Sequence, residues 1–200
     1  MFEGGEATGK STQAARLAAR LDAVLTHEPG GTALGASLRS LLLDDGGVGA
    51  LTDRAETLLM AADRAQHVAE VVRPSLDAGR HVVSDRYIGS SLAYQGYGRG
   101  LPIDEVRRLS AWASCHLWPD LVVLLDVPRS AALGRVHHGP DRIESAGEEF
   151  HQRVLAGFAA LAAADPARWV VIDGTASPDD VEVAVWSAVA ERCPDLAARR

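Results

Sequence analysis

Residues 4–11 read GGEATGKS, from Gly4 to Ser11, and fit the spacing G-x-x-x-x-G-K-[ST]. The glycines let the backbone turn so that several N–H groups converge on one anion. A helix starting near Ser11 adds its positive end. Gly4, Gly5, Glu6, Ala7, Thr8, Gly9, Lys10, Ser11 and Thr12 are therefore the candidate cradle for a nucleoside triphosphate. The Lys10 ammonium can reach the β- and γ-phosphates, and the Ser11 hydroxyl can ligate Mg²⁺. Composition singles out the same lysine. The chain holds 20 lysines and arginines, and Lys10 is the single lysine among them. Where arginine has replaced lysine everywhere else, the survivor needs a chemical reason, and a compact ammonium differs from a planar guanidinium fork.

Outward from this loop, helix and strand signals alternate. Residues 11–22 carry an apolar stripe of Ala15, Leu17, Ala18 and Leu21 at helical spacing. A short strand, 23–26, runs into the Pro/Gly turn EPGGT at 28–32, and a helix is expected over 32–43. A Gly-rich loop at 46–50 precedes a long helical region from about 54 to 78, capped by Thr52 or Asp53 and open to a break at Pro74. Residues 81–84 (HVVS) read as a buried strand, with helical stretches at 90–94 and 104–117 beyond it. Residues 121–127 (LVVLLDV) are apolar without alternation, which suits a strand covered on both faces. A helix from about 129, a polar loop at 137–147, a helix at 148–163, a strand at 169–172 and a helix at 178–192 complete the pass. The order implies an α/β fold with helices on both faces of the sheet, in one domain spanning 1–200. Only Met1 and Phe2 precede the loop, so the first strand is expected to be truncated, at a cost in ladder hydrogen bonds and apolar cover.

Composition narrows the function classes. With 47% hydrophobic residues the chain can bury a core, and a formal net charge of -7 disfavours a nucleic-acid coat or an anionic-membrane binder. Neither a signal-peptide pattern nor a long apolar run is present. Cys115 and Cys193 make no CxxC pair, so a reducing, cytoplasmic compartment is the expectation.

A second motif follows the strand HVVS: Asp85-Arg86-Tyr87. Ligands of open parallel sheets bind beyond the carboxyl ends of strands. Asp85 is there the preferred acid to hold Mg²⁺ through water, and Arg86 a bidentate phosphate ligand. Asp126, at the end of LVVLLD, is the alternative metal acid, although Pro128 suits a carboxylate that caps the next helix. Adjacent His137 and His138 point to different faces of a helix and read as a solvated loop rather than a metal pair.

With these residues in view the chain resembles the thymidylate kinases, P-loop nucleoside monophosphate kinases, along nearly its whole length. The resemblance is carried by FEGGEATGKST (2–12), EPGGT (28–32), LRSLLL (38–43), AADRAQH (61–67), DRY (85–87), SLAYQGYGRG (91–100), PDLVVLLDVP (119–128) and DRIE (141–144). It implies a P-loop fold with a mostly parallel five-stranded sheet, transfer of a phosphoryl group from ATP to dTMP with Mg²⁺, and a homodimer. Ala7 after Glu6, in place of arginine, looks bacterial-type, with the transfer arginine supplied by a lid at about 137–147.

The resemblance also implies roles. Arg64 would hydrogen-bond the thymine, with Ser91 and Gln95 lining the base pocket. Tyr94 would sit where a ribose 2′-OH would project. Arg39 and Arg86 would hold the acceptor phosphate beside Glu28 and Pro29, and Glu6 would orient the acceptor through Arg86 or the sugar. Met60 stands where the family usually has a stacking phenylalanine, and its polarizable sulfur can still lie against a ring. In the lid Arg142 is the first choice for the transfer arginine and Arg135 the second. The helical stretch 58–72 is a candidate dimer face or ordinary core. Two alternatives stay open: a kinase of another nucleoside monophosphate, and a nucleotide-binding paralogue without turnover.

Overall fold

A computed structural model describes residues 1–44, 49–135, 139 and 141–197. Five strands form one all-parallel sheet: β1 Phe2–Glu3, β2 Val24–His27, β3 Val82–Asp85, β4 Val122–Asp126 and β5 Trp169–Asp173, in the order β2-β3-β1-β4-β5. The expected architecture is therefore present, short first strand included. Although only two residues long, β1 lies at the centre of the sheet and pairs on both sides, Phe2 with Asp85 and Val123, and Glu3 with Leu124. Arg86 N–H donates to the Phe2 carbonyl at 2.9 Å and Val123 N–H to that of Met1 at 2.8 Å.

The helices are α1 Lys10–Leu21, α2 Ala33–Leu43, α3 Asp53–His67, α4 Arg73–Asp77, α5 Ile88–Ser91, α6 Ile103–Ala113, α7 Arg129–Leu133, α8 Glu148–Ala164, α9 Pro178–Arg192 and α10 Pro194–Ala197. Threonine and serine caps start several of them: Thr32 accepts from Gly35 N–H, Thr52 from Ala55 N–H and Ser177 from Asp180 N–H, each worth ~1 kcal/mol. The open choice between Thr52 and Asp53 as the α3 cap thus falls to Thr52. No break occurs at Pro74. The helix widens instead into a π-helical stretch, Val68–Val72, and continues as α4 with the proline in its first turn, where a missing N–H costs little. The stretch expected at 90–94 is longer than its sequence signal: α5 runs on into a second π-helical segment, Leu92–Gly98.

Two cores cover the two faces of the sheet. Along β4, Leu124 packs into the cluster of Tyr94, Phe150, Val154 and Phe158, while Val123 and Leu125 face Ala14, Leu17, Val181 and Val185. Burial on both faces is why LVVLLDV shows no alternation. The carboxyl ends of β1, β3 and β4 thereby converge on one rim, where Gly4, Arg86 and Val127 follow them.

Candidate functional site

The loop after β1 is shaped by glycine. Gly4 has φ +139°, and a Cβ there would lie 2.6 Å from the Leu125 carbonyl oxygen, so no side chain fits. Gly9, the residue before α1, has φ +92°. It supplies no side-chain cap and no acid lies in the first turn, which leaves the first N–H groups and the positive helix end free for an anion. Lys10 folds back over the loop. Its Nζ donates to the Gly5 carbonyl and, at 3.3 Å, to Thr8 Oγ1. Burial, and then the charge of Arg86, lower its pKa to about 7.

Across the rim, Ser11 Oγ donates to Asp85 Oδ2 at 2.5 Å. Asp85 Oδ1 is buried and has no partner among the described residues. A hydroxyl and a carboxylate with one oxygen to spare are hard donors of the kind Mg²⁺ takes, in a site that leaves room for water and phosphate oxygens. The donor set fits the ion. Among the described residues no cluster of three His, Cys, Asp or Glu side chains could hold a metal by itself. The alternative acid, Asp126, ends β4 as an exposed residue, whereas Asp85 meets the loop serine directly.

Arg86 has φ +70°, a left-handed conformation costing on the order of 1–3 kcal/mol away from glycine. Its neighbours enforce it. Ser84 Oγ donates to the Arg86 carbonyl at 2.8 Å, and Arg86 Nη1 donates to the Gly4 carbonyl at 3.0 Å and to Ser90 Oγ at 3.1 Å. The guanidinium lies 5.1 Å from the Tyr94 ring and 3.9 Å from Glu6. Burial alone would lower its pKa, but Tyr94, Glu6, Asp85 and Glu3 around it raise it, and it stays charged. Tyr94 hydroxyl donates to Glu6 Oε1. Burial works against the Glu6 charge, yet Arg86 and Tyr94 bring its pKa below the usual value.

Beside this rim lies a cleft of about 280 Å³. Its lining gathers Glu6, Ala7, Lys10, Ser11, Glu28, Pro29, Arg39, Met60, Arg64, Asp85, Arg86, Ser91, Tyr94 and Gln95. Thirteen of those fourteen residues come from six separate sequence motifs, Met60 standing just before AADRAQH, and the fold brings them to one cavity. Arg39 Nη1 donates to the Pro29 carbonyl at 3.0 Å. Arg64 is buried, with Nε to Glu28 Oε2 at 3.0 Å, Nη1 to Ser91 Oγ and Ser110 Oγ at 3.1 and 3.2 Å, and Nη2 to the Tyr87 carbonyl at 3.0 Å. A relay stands behind it: Glu28 Oε1 lies 2.8 Å from His67 Nδ1, and His67 Nε2 lies 2.7 Å from Thr26 Oγ1.

A second cleft of about 460 Å³ follows the outer side of the same loop, from Ala7 through Gln13, and is closed by Arg135, Gly174, Ala176, Pro178 and Val181. Thr12 belongs here. Arg135 donates through both terminal nitrogens to the Gly174 carbonyl at 3.2 Å. Arg142 is elsewhere: Nη2 donates to the Leu42 carbonyl, and the buried Nε and Nη1 have no partner among the described residues. Its neighbours Asp141, Ile143 and Glu144 line the first cleft, and Arg142 does not. Of the expected lid at 137–147, His137, His138 and residue 140 lie outside the described residues.

Sequence reasoning missed several contributors. Glu3 accepts from Tyr87 N–H, Ser90 N–H and Ser90 Oγ, buttressing the turn that carries Arg86, and burial raises its pKa. A Cβ on Gly89 would meet Glu3 Oε1 at 2.8 Å. Asp63 accepts from Gly30 N–H at 2.9 Å and holds the EPGGT turn. Glu56 receives both Gln95 and Arg99. The turn after β5 that supplies Gly174 carries no motif, and only its place at a strand's carboxyl end could have flagged it.

Known proteins resemble this chain along nearly its whole length. A family model described as thymidylate kinase matches residues 2–185. A thymidylate kinase of Bifidobacterium longum is 49% identical over 203 residues, covering 98% of this chain and 97% of its own. One from Synechococcus is 48% identical over 204 residues, covering 100% and 97%. The crystal structure of a thymidylate kinase from Ehrlichia chaffeensis superposes with a TM-score of 0.78 at 31% identity, over 94% of this chain and 95% of that one.

Proposed function

The chain belongs to the thymidylate kinase family and transfers a phosphoryl group from ATP to dTMP, and we propose that one domain does so with the two clefts that meet at Ala7, Lys10 and Ser11. The single observation that carries this reading is the shared rim: Ala7, Lys10 and Ser11 line both cavities. A nucleotide in each would bring a donor and an acceptor phosphate together across the loop.

The acceptor is a phosphate oxygen, already anionic near neutral pH, so no general base is needed. The difficulty is apposing two polyanions, and catalysis is alignment and charge stabilisation. In this reading the loop N–H groups and Lys10 hold the β- and γ-phosphates, and Arg86 with Arg39 holds the acceptor phosphate. Glu6 keeps Arg86 and Tyr94 in register. Mg²⁺, held by Ser11 and by Asp85 through water, would supply charge neutralisation at the phosphates. Met60, Arg64, Ser91 and Gln95 form the base pocket, with Glu28 fixing Arg64. Tyr94, buried on the cleft wall, restricts the sugar to deoxyribose. Arg135 lies beside the donor cleft, whereas Arg142 lines neither cleft and would have to turn toward the phosphates to serve the transferring group.

We also propose a cytoplasmic homodimer. Leu58 on α3 and Trp112 on α6 are 58% and 74% exposed, large apolar side chains on two helices that pack side by side. Within 58–72, Ala61, Arg64, His67, Val68 and Val72 are buried while Leu58, Ala62 and Ala69 face out, so the segment is core on one side and free on the other. Among the described residues no helix is long and apolar enough to cross a membrane.

The test is ADP release from Mg-ATP with dTMP, dUMP or dCMP in parallel. Release with dTMP well above the others is expected. Equal release with all three would favour a broader nucleoside monophosphate kinase, and ATP binding without release would favour a paralogue without turnover.

A further inference from the structure

We propose that Glu56 is a positioning residue for base choice: its carboxylate fixes the Gln95 carboxamide so that the amide oxygen faces the base. The inference rests on the reading that Gln95 lines the base pocket. Gln95 and Glu56 are 1% and 2% exposed. Gln95 Nε2 donates to Glu56 Oε1 at 2.9 Å. The carboxylate is itself gripped by Arg99, through Nη2 to Oε2 at 2.8 Å and Nε to Oε1 at 3.2 Å. Arg99 is held in turn, 4.5 Å over the Phe150 ring and 3.6 Å from Asp53.

The chemistry of these groups leaves one orientation. An ionised carboxylate only accepts hydrogen bonds, whereas a carboxamide has one accepting and one donating end. With Arg99 donating to both Glu56 oxygens, a flipped amide would set two acceptors face to face in a dry site. The nitrogen therefore points to Glu56. Among the described residues no donor reaches Gln95 Oε1, and Gln95 lines the first cleft. An oxygen presented there accepts the N3–H of thymine. Cytosine offers a lone pair at N3 and is repelled by the same oxygen.

A purely structural Glu56 would alter rates on all nucleotides alike, so the readout is the ratio of kcat/KM for dTMP to that for dCMP. Glu56→Gln replaces the obligate acceptor with a group that either accepts or donates, and frees Gln95 to flip. The ratio is expected to fall about tenfold or more, with the KM for ATP unchanged. The swapped double variant, Glu56→Gln with Gln95→Glu, restores an obligate acceptor toward the base while conserving charge, and is expected to recover the ratio. It also carries the test should the single variant fail to fold. Gln95→Leu separates the underlying reading from the inference. A raised KM for dTMP in Gln95→Leu together with an unchanged ratio in Glu56→Gln, or a lost ratio in the double variant, overturns the role of Glu56. An unchanged KM for dTMP in Gln95→Leu removes Gln95 from the pocket and the inference with it.

Discussion

Ser11 Oγ and Asp85 Oδ2 lie 2.5 Å apart although 74 residues separate them in the chain. One comes from the first turn of α1 and the other from the last residue of β3. The pair leaves Asp85 Oδ1 buried and without a partner among the described residues. Asp85→Asn keeps the shape and removes the charge. Its kcat is expected to fall by about 10²-fold, on the scale of losing one electrostatic stabiliser, and the Mg²⁺ concentration for half-maximal rate should rise. Metal titrations of the steady-state rate check this. An unchanged Mg²⁺ dependence would move the ion to Asp126.

Lys10 makes ATP binding pH-dependent. Burial and the nearby Arg86 bring its pKa down to about 7 in the free protein. Phosphates surrounding the ammonium favour its charged form and raise that value. A group whose pKa is higher in the complex takes up a proton on binding. Affinity should therefore be flat in this group below pH 7 and fall as pH rises above it, by up to about tenfold per unit. Calorimetry at pH 8 in buffers of different ionisation enthalpy should find uptake of about one proton, lost in Lys10→Ala. Absence of uptake in the unmodified protein would contradict the placement.

The two candidate arginines separate by kinetics. Arg135 touches the Gly174 carbonyl and lines the outer cleft, so Arg135→Ala should raise the KM for ATP by about tenfold. Among the described residues Arg142 Nε and Nη1 have no partner, which suits an anion that arrives late. Arg142→Ala should lower kcat, with KM for ATP little changed. Reversal of the two signatures in initial-rate measurements would exchange the roles.

Leu58 and Trp112 give the dimer proposal its test. Exposed apolar groups of this size on adjacent helices suit burial against a second copy. Trp112→Glu with Leu58→Arg should convert a dimer of the unmodified chain to a monomer in light scattering. A monomeric unmodified chain would refute the proposal.

Much of the fold was readable because its signals are local. The Gly4–Ser11 stretch and the unbroken apolar run of β4 each declare themselves within a few residues, and the α3 cap is narrowed to Thr52 or Asp53. The EPGGT, DRY and LAYQG motifs gave Glu28, Pro29, Asp85, Arg86, Tyr94 and Gln95 of the cleft lining. What escaped depends on distant partners or on helix register. Glu3 reads as one acid in a two-residue strand until Ser90 is seen donating to it. Glu56 looks like a helix-surface carboxylate until Arg99 and Gln95 are seen to meet it. The π-helical turn at Leu92–Gly98 shifts side chains off the 3.6-residue period, so no periodicity count places Tyr94 and Gln95 on one wall. Pro74 misled for a related reason, since a widened turn accommodates what an α-helix does not.

The most direct test of the central claim is dTDP formation from Mg-ATP and dTMP by the unmodified chain and by Lys10→Ala, with circular dichroism to confirm that both are folded. The account predicts dTDP and ADP in equal amounts from the unmodified chain and a loss of about 10³-fold or more in Lys10→Ala. Near-normal dTDP formation by Lys10→Ala, or ADP without dTDP from the unmodified chain, would contradict it.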